Sequence, residues 1–130
     1  MKRSPLRKKS KTKISTLKRK LWKYFSLYIR QRDKFTCFTC GRHATGSGMH
    51  SGHFISKAIG GNALYFHEEN VHAQCYNCNI NLGGNQYIYG KKLGDKAEEL
   101  YLIKNTVIEK WTEQDYLDKI EHYKHLTENM

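Results

Sequence analysis

Four cysteines form two identical pairs, Cys37-Phe-Thr-Cys40 and Cys75-Tyr-Asn-Cys78. The tight turn inside each CxxC points both sulfurs the same way, so the two pairs together predict a closed, tetrahedral, four-thiolate structural zinc site. The alternatives are a redox pair or two disulfides. A redox motif needs one pair only, and disulfides are not expected in a chain without a secretion signal. A core this small benefits from such a metal, which supplies about 10 kcal/mol or more of apparent folding energy.

Histidine and asparagine side chains are concentrated between the cysteine pairs and directly after the second pair. A single histidine is more often an ordinary surface or core residue than a ligand. This set differs because zinc would hold both ends of segment 41–74 close together. Its members are His50, His53, Asn70, His72 and Asn79.

The order of these residues resembles the zinc-bound form of the HNH, or ββα-metal, nuclease pattern. In that pattern a first CxxC is followed by Gly-His on a hairpin and then by Asn. A second CxxC comes next, with another Asn directly after it. The chain further resembles the phage NinG (Rap) recombination proteins, and the zinc arrangement is similar to that of phage endonuclease VII, a Holliday-junction resolvase. The resemblance extends over residues 28–126. It rests on segments 28–33, 52–54, 70–75, 78–79, 84–85 and 111–112.

The resemblance implies a metal-dependent DNA endonuclease that hydrolyses phosphodiester bonds in branched recombination intermediates, such as Holliday junctions and D-loops. His53 is the expected general base, because a neutral imidazole accepts a proton from water near pH 7. Asn70 is expected to orient the loop or the imidazole. Asn79 is the expected oxygen ligand of a catalytic Mg²⁺ or Mn²⁺.

His50 occupies a position where the relatives often have a carboxylate ligand. Imidazole is a softer ligand than carboxylate, so ligation by His50 would shift the preference from Mg²⁺ toward Mn²⁺, Ni²⁺ or Zn²⁺. In the alternative arrangement, Asn79 holds the metal with water and the substrate phosphate, and His50 is not a ligand.

The sequence predicts different secondary-structure elements in successive segments of the chain, and these elements must position the candidate site residues. Apolar residues recur at helical spacing over 14–33, which predicts a basic helix with one buried face. The glycine-rich segment 34–94 predicts turns and two short strands near 48–56. Two capping boxes predict a pair of helices over 95–130. They are Asp95 with Glu98 and Thr112 with Asp115.

These elements predict an α+β fold with a small zinc-bound ββα-metal (HNH) core, flanked by an N-terminal basic helix and two C-terminal helices. The length suits one domain. We therefore expect a single nuclease domain over 14–130, with the zinc/HNH core at 34–94, after a disordered basic arm over 1–13. Resolving a junction takes two symmetric cuts, which favours a homodimer joined through the C-terminal helices; alternatively, these helices close the monomer's own core. The interface residues would be Leu100, Trp111, Leu117 and Tyr123.

The net charge of +11 comes almost entirely from residues 1–20, which contain ten basic side chains and no acidic one. Residues 21–130 contain 13 basic and 12 acidic residues. Such a basic stretch favours DNA phosphates through counterion release; the alternative is a solubilising tail. The residues expected to contact DNA are Lys18, Arg19, Lys20, Arg30, Arg32, Lys57 and Asn85.

Two other functions fit parts of the pattern. A non-catalytic zinc ribbon that binds nucleic acid explains the cysteines and the arm, but it does not explain His53, Asn70 and Asn79. An HNH nuclease for linear duplex DNA explains both. No segment has the ~18 or more apolar residues of a membrane span, so we expect no membrane partner. The expected location is the cytoplasm of a phage-infected or prophage-carrying bacterium, with a phage recombinase as an unspecified partner.

Overall fold

A long N-terminal helix, α1 (Pro5–Arg32), leads the chain in the computed structural model, which describes residues 5–129 without the side chains of 5–12, 57, 58 and 60. The helix begins before the predicted start at residue 14 and includes most of the segment predicted to be a disordered arm. Lysine, arginine and leucine favour helix, and proline is tolerated in the first turn, where its missing N–H has no partner anyway. The buried face of α1 consists of Leu17, Leu21, Phe25 and Ile29.

A two-stranded antiparallel sheet lies against α1. Strand β1 (Met49–His53) pairs with β2 (Val71–Cys75) so that Met49 faces Cys75 and His53 faces Val71. The prediction of two strands within 48–56 is therefore wrong, because the second strand lies beyond a long connection. Five residues are too few for a clear period-two pattern, and β2 is buried at four of its five positions.

Shorter helices surround the sheet, and they confirm the α+β class. The Thr112–Asp115 capping box is confirmed at the start of the last helix. The Asp95–Glu98 box is wrong, because Gly94 is the N-cap and its φ of 59° places it in a conformation that glycine adopts readily. The helices are α2 (Lys57–Tyr65), a π-helical turn (Asn77–Asn81), α3 (Gln86–Leu93), α4 (Asp95–Thr106) and α5 (Glu113–Glu128).

The core residues of the C-terminal helices pack within the chain itself. Tyr123 of α5 is buried against α1, with its ring centroid 5.0 Å from that of Phe25. Leu100 of α4 is buried in a second cluster with Phe54 and Tyr89. These contacts correspond to the alternative in which the helices close the monomer's own core. Of the four residues assigned to a dimer interface, Leu117 is the one classed as exposed, at 41%.

Candidate active site

The four cysteines converge on one point, as predicted. Their sulfurs all lie within 4.8 Å of one another, and all four are free thiols. Tetrahedral zinc ligands at about 2.3 Å from the metal lie about 3.8 Å apart, and Cys40 Sγ is 3.7 Å from Cys75 Sγ. The residues therefore fit one zinc ion, which would tie the loop before β1 to the end of β2.

The thiols differ in how readily they ionise. Burial raises the pKa of Cys37, but hydrogen bonds from Thr39 and from backbone amides outweigh it and lower the pKa to about 6. Burial and contacts with the other thiols raise the pKa of Cys40 to about 12. A bound cation is thus needed to hold four thiolates together near neutral pH, because it offsets their repulsion.

His53, at the end of β1, is held between two aromatic rings. Its imidazole stacks on Trp22 of α1 at a centroid distance of 5.1 Å and meets the Tyr65 ring edge-on at 5.0 Å. His53 Nε2 lies 2.9 Å from the backbone carbonyl of Tyr65. A carbonyl oxygen can only accept, so Nε2 must bear the proton, and in the neutral ring the lone pair is then on Nδ1.

Asn70 holds the loop that positions His53. It is fully buried at the start of β2. Its amide nitrogen donates to the carbonyls of Ile55 and Leu64, both at 3.0 Å, and its oxygen accepts from the Ile55 N–H at 2.8 Å. These partners lie next to Tyr65 and two residues beyond His53. Asn70 therefore fixes the backbone around His53, and its orienting role in a reaction stays a prediction.

Replacing Asn70 with alanine should lower the free energy of unfolding by at least about 2 kcal/mol, because the buried N–H and carbonyl of Ile55 would lose their partner, whereas the Leu64 carbonyl keeps the His67 N–H. Urea denaturation at pH 7 with zinc present measures this. Asn81→Ala, which removes an exposed amide, is the matched control and should change the midpoint little. Equal effects of the two variants would contradict the positioning role.

His50 and Asn79 meet beside the sheet. Asn79 Nδ2 lies 3.0 Å from His50 Nδ1, and both side chains line a cavity of about 500 Å³ that also contacts Arg30. Asn79 is the middle residue of the π-helical turn. The absence of a side chain at Gly52 leaves room for Asn79 and Gln74. A Cβ at this position would overlap Gln74 Oε1 and lie 2.9 Å from Asn79 Oδ1. An imidazole nitrogen and an amide oxygen suit a divalent cation such as Mn²⁺.

The amino-acid sequence of nearly the whole chain matches a known protein family. The family model described as bacteriophage lambda NinG protein matches residues 2–130. The chain belongs to the NinG family. No curated protein and no solved structure matches this NinG chain. Family membership suggests a role in phage recombination. In the part of the chain that is described, no helix is long and apolar enough to cross a membrane.

In this NinG chain, His72 of β2 lies opposite Gly52 of β1 in the sheet. Its ring stacks on Phe38 at a centroid distance of 4.0 Å, and its Nδ1 is 3.2 Å from the hydroxyl of Tyr89. Tyr89 in turn donates to the Gly52 carbonyl at 2.7 Å. Burial, and then the positive charge of Arg32, lower the pKa of His72 to about 4. His72 is therefore a neutral core residue, consistent with its hydrogen bond to Tyr89.

The lowered pKa of His72 predicts that the free energy of unfolding decreases as the pH falls. In the unfolded chain His72 has a pKa near 6.5, so between pH 6.5 and 4 the unfolded state binds more protons, and stability rises with pH. The loss from pH 7 to pH 5 is expected to be about 2 kcal/mol from this group alone. Urea denaturation of wild type and His72→Gln at both pH values tests it. An identical pH dependence in the two proteins would contradict the assignment.

The residues predicted to contact DNA occupy different environments in this NinG protein. Lys18 lies 4.6 Å above the Tyr65 ring, and Arg19 and Lys20 are exposed on α1. Arg30 lines the cavity of His50. Lys57 begins α2, but its side chain is outside the described part of the chain.

Two of these residues contact the protein itself. Arg32 donates to Asp33 at 2.8 Å and to the carbonyls of Glu68 and Val71 at 2.7 and 3.0 Å, so its guanidinium ties α1 to β2. Asn85 Nδ2 lies 3.7 Å from Cys78 Sγ and faces the zinc cluster. These contacts give both residues structural roles that the sequence did not indicate. Their contact with DNA stays a prediction.

The sequence analysis missed three aromatic residues that shape the site. Trp22 and Tyr65 enclose His53, and Tyr89 joins His72 to β1. Trp22 lies within the segment predicted to be the basic helix, with no role assigned to it there. One feature of the sequence could have indicated a role for Trp22. It lies one helical turn after Lys18, at the edge of the apolar stripe and not in its centre.

Proposed function

We propose that this NinG protein is a divalent-metal-dependent DNA endonuclease with an HNH-type site that cuts branched recombination intermediates. One observation supports the proposal most strongly. His53 and Asn79 line the same cleft of about 760 Å³, together with Ser51 of β1 and Lys104 of α4. A cleft of this size and openness accepts a DNA backbone with a phosphate between the imidazole and the amide.

The proposed chemistry begins at Nδ1 of His53. With Nε2 bonded to the Tyr65 carbonyl, Nδ1 accepts the proton of a water molecule as that water attacks the phosphorus. The Trp22 stack and the Tyr65 carbonyl fix the ring, so its orientation requires no rearrangement during the reaction. Asn79 and His50 are the residues that would hold a divalent cation, which would supply charge stabilisation to the phosphate.

Electrostatics favours DNA in this cleft. Between Asp33 and Asp95 the chain has two acidic residues, Glu68 and Glu69. Glu68 accepts a hydrogen bond from Tyr123 at 2.8 Å, and Glu69 pairs with Lys96 at 2.8 Å. The cleft of His53 and the cavity of His50 have no carboxylate lining them among the described residues. A phosphodiester backbone would therefore meet little repulsion there. We place this activity in the host cytoplasm.

The test is cleavage of labelled four-way junction, flap and linear duplex of matched sequence by the zinc-loaded protein, with Mg²⁺ or Mn²⁺ titrated. We expect the junction to be cut fastest and Mn²⁺ to support cleavage at least as well as Mg²⁺. Preferential cutting of linear duplex would contradict the recombination substrate but not the mechanism. Binding without cleavage under either cation would favour the zinc-ribbon alternative.

We expect the basic N-terminal segment to increase the affinity for DNA and to take no part in the cleavage reaction. Deleting residues 1–12 removes six basic side chains while keeping Lys13, which pairs with Glu113 at 2.7 Å. If all six contact phosphates, the slope of log K against log salt should fall by about 5. The saturated cleavage rate should change far less. Filter binding over a salt series measures the slope, and unchanged binding with lost cleavage would reverse the two roles.

A further inference from the structure

Three large apolar side chains are exposed around the π-helical turn that contains Asn79. Tyr76 is 51% exposed, Ile80 51% and Leu82 53%. Tyr76 and Ile80 are four residues apart on helical backbone, so they share one face. We call these three residues the apolar ridge. Isolated exposed apolar residues are ordinary, but here three of them occur within seven residues beside a candidate site.

The ridge is in direct contact with that site. The Tyr76 ring meets the His50 ring edge-on at a centroid distance of 5.6 Å, and Asn79 of the same turn is bonded to His50. Successive nucleotides of one strand are about 3.4 Å apart along B-DNA. If a phosphate of one DNA strand lies at His50 and Asn79, the bases one or two nucleotides along that strand therefore lie close to Tyr76.

The backbone under the ridge is held rigidly. Cys75 and Cys78 of the zinc cluster flank Tyr76, the Leu82 N–H donates to the Asn77 carbonyl at 2.9 Å, and the Gly84 N–H donates to the Cys78 carbonyl at 2.9 Å. The chain contains no Asp or Glu from residue 70 to 94, so no charge on this stretch repels a nucleic acid. A fixed apolar projection without acidic neighbours, next to the cavity of His50 and Asn79, fits bases better than it fits a charged protein surface.

We propose that the apolar ridge packs against unstacked bases at a DNA branch point and so determines the preference for branched over linear DNA. Inserting an apolar side chain into intact duplex costs a few kcal/mol of unstacking per step. At a branch point the stacking is already interrupted, so the ridge gains contact without that cost. The inference rests on the proposed function for the position of the strand, but it concerns binding and not cleavage.

The test measures equilibrium affinity without added divalent cation, so that no cutting is required. Zinc-loaded Tyr76→Ala/Ile80→Ala is expected to bind a four-way junction about 10-fold or more weakly than wild type, since base–aromatic stacking is worth about 1–3 kcal/mol. Its affinity for linear duplex of the same sequence should hardly change. Tyr76→Phe, which keeps the ring, should retain the junction preference.

Two controls make the outcome decisive. Ile108→Ala removes an isoleucine that is 89% exposed and lines a different cavity, with Trp111 and Lys119, and it should not alter either affinity. Ile80→Ala alone leaves the Tyr76–His50 contact intact and should still lower the junction preference. Equal losses for junction and duplex, or no loss, would overturn the proposal. So would sedimentation showing that the double variant converts a wild-type dimer into a monomer, because the ridge would then join two copies of the chain.

Discussion

His53→Ala is expected to cut a four-way junction about 10²–10⁴-fold more slowly than wild type at saturating cation, while the affinity for the junction changes little. The imidazole is the general base in the proposed reaction, and its ring is bonded and stacked in the cleft without being a phosphate anchor. Single-turnover cleavage with enzyme in excess gives the rate, and binding without added cation gives the affinity.

The matched control for this variant is His43→Ala, which removes an exposed imidazole outside the cleft and should cut at the wild-type rate. His53 also contacts Trp22, so thermal unfolding must show that His53→Ala remains folded at the assay temperature. Wild-type cleavage by a folded His53→Ala protein would assign the general base to another residue.

Removing zinc is expected to unfold the chain. A structural zinc site contributes about 10 kcal/mol or more at pH 7, which is comparable to the whole stability of an ordinary domain, about 5–15 kcal/mol. Cys37, Cys75 and Cys78 are nearly fully buried, so the empty site would leave three thiols packed with β1 and β2 and no bond between them.

Circular dichroism before and after chelation, with metal analysis, measures the effect, and adding one equivalent of Zn²⁺ should restore the spectrum. Cys75→Ser should behave like the metal-free protein, whereas Thr39→Val, which removes only the hydroxyl 3.3 Å from Cys37 Sγ, should stay folded with zinc. A metal-free chain with the same melting temperature as the zinc form would contradict a structural role for the cluster.

The four-cysteine cluster was predictable because each CxxC is a local pattern, and two such patterns define a possible zinc site without knowledge of the fold between them. The basic helix and the Thr112 cap were predictable for the same reason. Strand β2 and helix α2 were not. Both are short, and α2 contains a kink at Gly61 with φ of 62°, so neither presents a full period of its pattern. Their positions depend on contacts made across the chain.

The individual histidines and asparagines could be selected from the sequence, but their partners could not. Asn70 bonds to Ile55 and Leu64 through the tertiary fold, and His53 stacks on a tryptophan from a helix 31 residues earlier in the chain. Arg32 shows the converse. Its position in a basic stretch suggested phosphate, but its donors bind a neighbouring aspartate, the Glu68 carbonyl and the carbonyl of Val71 at the start of β2.

The stacking of Trp22 on His53 also provides an optical signal at the site. The chain has two tryptophans, and the second, Trp111, stacks on Phe66 of the same core cluster, whereas Trp22 stacks on His53. In a Trp111→Phe background, the fluorescence of Trp22 would therefore report directly on changes at the His53 ring, such as the entry of DNA into the cleft, without a label and before any bond in DNA is broken.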